Sequence, residues 1–221
     1  MTATAASVLR TTIPLSDRYP RAAGGIYLVV IAIALAGIGR HHPFARIGVG
    51  NLVTGTRGVL TAIVAAALIE VPSHDLAWAL VGLAMVAVVL DGFDGWAARR
   101  QGVASAFGAR FDMEVDAFII LALSVLVWRF DKAGVWVLAS GLMRYAFLTA
   151  GLVWPWFNRP LPASRRRQAV CVAQIAGLVA ALAPAVPQPL SAWVAGLSLA
   201  ALGWSFWVDV RWLATGYDKR S

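Results

Sequence analysis

Seven long apolar runs separated by short polar breaks dominate this chain of 221 residues. They fall at about 22–39, 52–71, 76–98, 112–128, 133–154, 168–184 and 190–210. A helix needs about 20 apolar residues to cross a bilayer's hydrocarbon core. In lipid, only structures that satisfy their own backbone hydrogen bonds can span. The runs therefore predict an all-α fold: a polytopic integral membrane bundle of six core transmembrane helices, plus an extra N-terminal hydrophobic helix. Composition agrees. The chain is 60% hydrophobic and only 14% charged, against about 25% charged in an ordinary soluble domain. Its mean hydropathy is +0.72. A soluble globular enzyme and a disordered chain are both excluded, and no soluble domain of useful size fits beside the spans.

The expected organisation is a polar arm at 1–21, the extra helix and its loop at 22–50, a membrane domain at 51–214 and a tail at 215–221. The first run is too long for the apolar stretch of a signal peptide and lacks a small-residue cleavage site, so it reads as a retained helix. Cys171 is the single cysteine, which rules out an internal disulfide and a cysteine-based metal site. The net charge is +8. In a membrane chain this reflects basic loops facing anionic headgroups rather than a nucleic-acid partner.

If all seven runs cross, twelve Lys and Arg collect on one side, five on the other, and Arg57 and Arg144 fall inside spans. The richer side is expected to be cytoplasmic. That places the N-terminus outside, against the sense of Arg10, Arg18 and Arg21, so the first run either crosses, lies along the interface or re-enters.

Acids at membrane depth are costly and mark function. Here they cluster. Asp91 and Asp94 lie near the end of the third run, and Asp112 and Asp116 at the start of the fourth. Spacings of i,i+3 and i,i+4 put each pair on one helical face. The short connection between the runs predicts antiparallel neighbours whose four carboxylates converge near the cytoplasmic surface. Mutual repulsion would raise their pKa values unless cations compensate. Hard oxygen ligands without His or Cys favour Mg²⁺, Mn²⁺ or Ca²⁺ over Zn²⁺, and Mg²⁺ pairs readily with substrate phosphates. Four facing carboxylates could hold two such ions. The plain alternative is ordinary ion pairing with Arg99, Arg100 and Arg110. Gly95, Ala98 and Gly108 lie one or two turns from the acids, and small residues there leave room for a bulky group, or simply let helices pack closely.

The run Asp91-x-x-Asp94-Gly95-x-x-Ala98-Arg99, eight residues, Gly108, three residues, Asp112, three residues, Asp116 resembles the signature of the CDP-alcohol phosphotransferases at all eight fixed positions. Asn51, Thr54 and Arg57 resemble the N-x-x-T-x-x-R opening of that family's first core helix. The resemblance implies a six-helix membrane enzyme, usually a homodimer, in the cell's inner membrane with its site facing the cytoplasm. Such enzymes transfer a substituted phosphate from a CDP-linked donor to an alcohol and release CMP; in phospholipid biosynthesis the donor is CDP-diacylglycerol. By position, Asp91, Asp94, Asp112 and Asp116 would hold two Mg²⁺ or Mn²⁺ ions, and Asp116 would be the catalytic base. Asn51, Thr54, Arg57, Gly95, Ala98, Arg99 and Gly108 would bind the donor.

Arg144 within the fifth run, and Arg165, Arg166 and Arg167 before the sixth, suit an acceptor phosphate, since arginines and a helix N-terminus both favour anions. The expected acceptor is a phosphorylated polyol such as glycerol 3-phosphate or an inositol phosphate. A non-phosphorylated acceptor such as serine is the alternative, and a divalent-cation transporter is the rival from another class. Glu114 is expected to pair with Arg110, i,i+4. Glu70, His74 and Asp75 read as a solvated turn on the opposite side.

Overall fold

A computed structural model describes the backbone of residues 2–41, 49–101, 106–159, 161–162 and 164–218. Side chains are described for 2–9, 11, 13–32, 55–90, 111–154, 156–157, 159, 161–162 and 164–215. The described residues are mostly helical, with no strand among them. In chain order the helices are α1 (Thr2–Thr12), α2 (Tyr19–His41), α3 (Val49–Ala66), α4 (His74–Gln101), α5 (Ala106–Arg129), α6 (Leu138–Val153), α7 (Arg165–Leu182) and α8 (Leu190–Asp218). Each apolar run corresponds to one of α2–α8. The polar arm also contains a helix, α1, which packs on α2 and α3.

Among the described residues, two stretches are long and apolar enough to cross a membrane: Val135–Val153 and Leu190–Thr215. The apolar parts of α2, α3 and α4 within the described residues are shorter, at Tyr19–Ala32, Gly55–Ile69 and His74–Leu90. The outer surface is apolar: Leu28, Trp193 and Leu197 are each more than two-thirds exposed and Leu152 is 85% exposed. Water disfavours so much exposed apolar surface, whereas hydrocarbon tolerates it. Helices in lipid adhere through close packing rather than hydrophobic burial. Gly141 of α6 fits this rule, since an added Cβ would meet the Leu121 backbone of α5 at 2.5 Å. Gly177 of α7 lies equally close to α8, with Ser198 Cβ 2.7 Å from such an atom.

Hydrogen bonds fix the alternation of the helices. The Tyr19 hydroxyl donates to the Ile63 carbonyl at 2.8 Å, joining the start of α2 to the end of α3. Arg129 at the end of α5 donates to the carbonyls of Leu68 and Glu70, beyond α3. Lys132 donates to the carbonyls of Ala183 and Val186 at 3.0 and 2.7 Å, after α7. Ser191, at the start of α8, donates to the Lys132 carbonyl at 2.6 Å. The ends of α3, α5 and α7 and the starts of α2 and α8 therefore meet at one end of the bundle. Glu70 departs from the solvated turn expected for it. It is buried and accepts from the Ser16 backbone N–H at 3.0 Å and hydroxyl at 2.5 Å. His74 and Asp75 are well exposed, as expected.

α3 and α7 each pack on both α4 and α5, whereas α4 and α5 are not close-packed neighbours among the described residues. The ends of α4 and α5 expected to bring four carboxylates together include Asp91 and Asp94, whose side chains lie outside the described residues. α3 and α7 supply Arg57 and Cys171 to the face of α5 that carries Asp112 and Asp116.

Candidate active site

The site lies at the opposite end of the bundle. Asp112 and Asp116 are one helical turn apart on α5, which puts their carboxylates on one face. Arg57 on α3 bridges them: Nη1 donates to Asp112 Oδ1 and Nη2 to Asp116 Oδ1. Its guanidinium fork presents parallel donors that a lysine could not match. The arginine side chain is only 2% exposed, against 38% for Asp112 and 17% for Asp116. The cation is thus buried while the carboxylates remain partly exposed. Among the described side chains, one arginine contacts both carboxylates. From α7, the Cys171 thiol donates to Asp116 Oδ2 at 3.6 Å.

Arg57, Asp112 and Asp116 are therefore brought together, Arg57 as the partner of two acids. The side chains of Asn51, Thr54, Asp91, Asp94, Gly95, Ala98, Arg99 and Gly108 lie outside the described residues. Their backbones belong to α3, α4 and α5. Among the described side chains, no group of three or more His, Cys, Asp or Glu is arranged to hold a metal ion. The two described carboxylates have the donor chemistry that Mg²⁺ or Mn²⁺ prefers, hard oxygens without nitrogen or sulfur of comparable affinity.

Arg144 lies elsewhere. Its Nη2 donates to Glu114 Oε1 at 2.6 Å, and Glu114 is two residues from both Asp112 and Asp116, off their face. The arginine expected to meet an acceptor phosphate thus meets a carboxylate of α5. Glu114, expected beside Arg110, has this partner from α6; the Arg110 side chain lies outside the described residues.

The three arginines opening α7 have different environments. Arg165 is exposed. Arg166 donates to the carbonyl and hydroxyl of Ser205 and to Asp209 Oδ1 on α8, with its guanidinium carbon 5.6 Å from the centre of the Trp204 ring. Arg167 donates to Asp209 Oδ1 at 3.4 Å and to the Pro162 carbonyl. Asp209 is buried, at 8% exposure. It is a lone acid in the apolar run SFWVDVRW. The same rule that flags intramembrane acids points to it, but it stands outside the motif spacing and its partners come from another helix.

Asp112 and Asp116, held together by Arg57, and the arginines that open α7 are the charged groups the described residues offer at this end of the bundle. The model of the CDP-alcohol phosphatidyltransferase family matches residues 48–208, and the chain belongs to that family of transferases. No curated protein and no solved structure matches the chain. The matched segment begins just before α3, so α1 and α2 precede the matched segment.

Proposed function

We propose that this protein is a multi-pass membrane enzyme that transfers the phosphatidyl group of CDP-diacylglycerol to a phosphorylated polyol and releases CMP in phospholipid biosynthesis. Glycerol 3-phosphate and an inositol phosphate are the acceptors that fit. The pairing of Asp112 with Asp116 at the bundle mouth, within a family-matched segment, carries this reading.

The acceptor's hydroxyl oxygen forms the new bond to the phosphorus that bears diacylglycerol. The bond from that phosphorus to the CMP oxygen breaks, and CMP leaves with its electron pair. Asp116 takes the hydroxyl proton, a role that needs hydrogen-bond reach and a carboxylate held in place. Arg57 fixes Asp116 beside Asp112 and belongs to the donor-facing wall with Asn51 and Thr54. Gly95, Ala98, Arg99 and Gly108 line the cytidine side. Asp91, Asp94 and Asp112, with Asp116, would hold two Mg²⁺ or Mn²⁺ ions. Bound there, such ions supply charge neutralisation around phosphorus.

The arginines at the start of α7 would take the acceptor's phosphate. Their position on the expected arginine-rich face supports a cytoplasmic mouth, where water-soluble acceptor and CMP exchange. A homodimer with six core spans completes the proposal.

The test is CMP release by the purified full chain in detergent, with CDP-diacylglycerol and a panel of phosphorylated and unphosphorylated alcohols. Release should require Mg²⁺ or Mn²⁺, stop on chelation, and favour a phosphorylated acceptor. No CMP with any alcohol, together with divalent-cation flux in liposomes, would replace the transferase with a transporter. Release with serine alone would keep the chemistry and overturn the acceptor.

A further inference from the structure

The α7 arginines differ in what they can still bind. Arg166 is committed to α8 by three hydrogen bonds and by Trp204. Arg167 makes two, and a guanidinium carries five N–H donors. The lengthwise register of α7 against α5 is set at two points. Lys132, just after α5, bonds the carbonyls at the end of α7, and Cys171 bonds Asp116. The two helices therefore run in the same direction. Arg167 is one turn before Cys171 on α7, as Asp112 is one turn before Asp116 on α5. A shared i,i+4 spacing brings Arg167 level with Asp112, about 6 Å along the helix from the level of Asp116.

Asp209 is the carboxylate that both inner arginines share. Buried in a poorly polar setting, it needs one cation as counter-ion, and Arg166 supplies it. Arg167 is then held by its edge, with charge and donors to spare. We propose that Asp209 is a positioning residue for the acceptor: with Arg166 as its own counter-ion, it holds Arg167 where the acceptor's phosphate binds, so that the hydroxyl reaches Asp116. This rests on the phosphorylated-acceptor reading above. It makes Arg167 the principal phosphate contact of the three and gives Arg166 a supporting place.

The experiment compares Asp209→Asn, Asp209→Glu, Arg167→Ala and the double variant Asp209→Asn/Arg167→Ala in the full chain, with the preferred acceptor of the panel and CDP-diacylglycerol each varied. Asp209→Asn should raise the acceptor KM about tenfold, the size of one weakened charged hydrogen bond, with donor KM and kcat within about twofold. In the Arg167→Ala background the same change should add less than about twofold, because the two act through one contact. Asp209→Glu keeps the charge and should raise the acceptor KM less than Asp209→Asn. If Asp209→Asn does not fold, Asp209→Glu alone decides, with a severalfold rise in acceptor KM at an unchanged donor KM expected. Equal changes in both KM values, full additivity with Arg167→Ala, or an unchanged acceptor KM would overturn the proposal and make Asp209 a clamp between α7 and α8. If the panel yields only an unphosphorylated acceptor, the acceptor reading falls and this inference with it. If a phosphorylated acceptor is used and its KM ignores Asp209, this inference alone falls.

Discussion

The two ends of the bundle use the same residue types to opposite effect. At the end where α3, α5 and α7 finish, the cations meet backbone. Arg129 and Lys132 donate to the carbonyls of Leu68, Glu70, Ala183 and Val186. Helix C-termini leave carbonyls unsatisfied and carry partial negative charge, so cations there complete the helices. At the other end the cations meet carboxylates. Arg57 bridges Asp112 and Asp116, Arg166 and Arg167 share Asp209, and Arg144 holds Glu114. A cation on a backbone carbonyl stabilises the fold and offers a ligand little. A part-exposed carboxylate pair held by one buried arginine keeps acceptor oxygens that a ligand can reach. Structure is closed at the first end and chemistry is possible at the second.

The largest effects should come from breaking the second end. Asp116→Asn preserves shape and removes the proposed proton acceptor. Turnover should fall by roughly a hundred- to ten-thousand-fold, while binding of the CDP donor, measured by isothermal titration in detergent, stays within a few-fold. Strong residual CMP release would remove Asp116 as the base. Arg57→Ala should follow. Two neighbouring carboxylates would lose their shared cation, and breaking such a buried pair costs about 3–5 kcal/mol. Unfolding in detergent should show that loss. Arg57→Lys should recover only part, because an ammonium cannot present the same fork. Complete rescue by lysine would show that charge alone, without the bridging geometry, holds the acids together.

The fold was legible in the sequence to the extent that hydrophobic runs announce helices, and each of the seven runs falls in a helix. The helical character of the polar arm carries no such signal, since Thr2–Thr12 lacks a long apolar stretch. The nearness of Asp112 to Asp116 followed from i,i+4 spacing. That Arg57 would lie between them did not, because 55 residues separate Arg57 from Asp112 and tertiary packing alone joins them. The same holds for Asp209 and Arg166, 43 residues apart. Glu70 was misplaced for a related reason. Its neighbours in the chain are turn residues, while its hydrogen-bond partner is Ser16, 54 residues earlier.

A change at the first end should separate stability from catalysis. Glu70→Ala strands the Ser16 N–H and hydroxyl in a part-buried setting. The expected loss is about 1–3 kcal/mol of stability, read as a lower midpoint of thermal unfolding. Both KM values should stay within about twofold. A selective change in either KM would mean that the closed end communicates with the mouth and would dissolve the contrast drawn above.

The smallest effect is expected at the pair that sits between these extremes. Arg144 and Glu114 are partly exposed, at 27% and 39%, and exposed ion pairs contribute about 0–1 kcal/mol. If the pair only ties α6 to α5, Glu114→Gln and Arg144→Ala should each shift thermal unfolding slightly and leave the acceptor KM unchanged. If Arg144 instead turns to the acceptor's phosphate, the two variants diverge. Arg144→Ala then raises the acceptor KM, and Glu114→Gln, by freeing the guanidinium, lowers it. Opposite signs from the two partners of one bond would extend the acceptor site from α7 to α6. Equal and slight shifts would confine it to the arginines of α7.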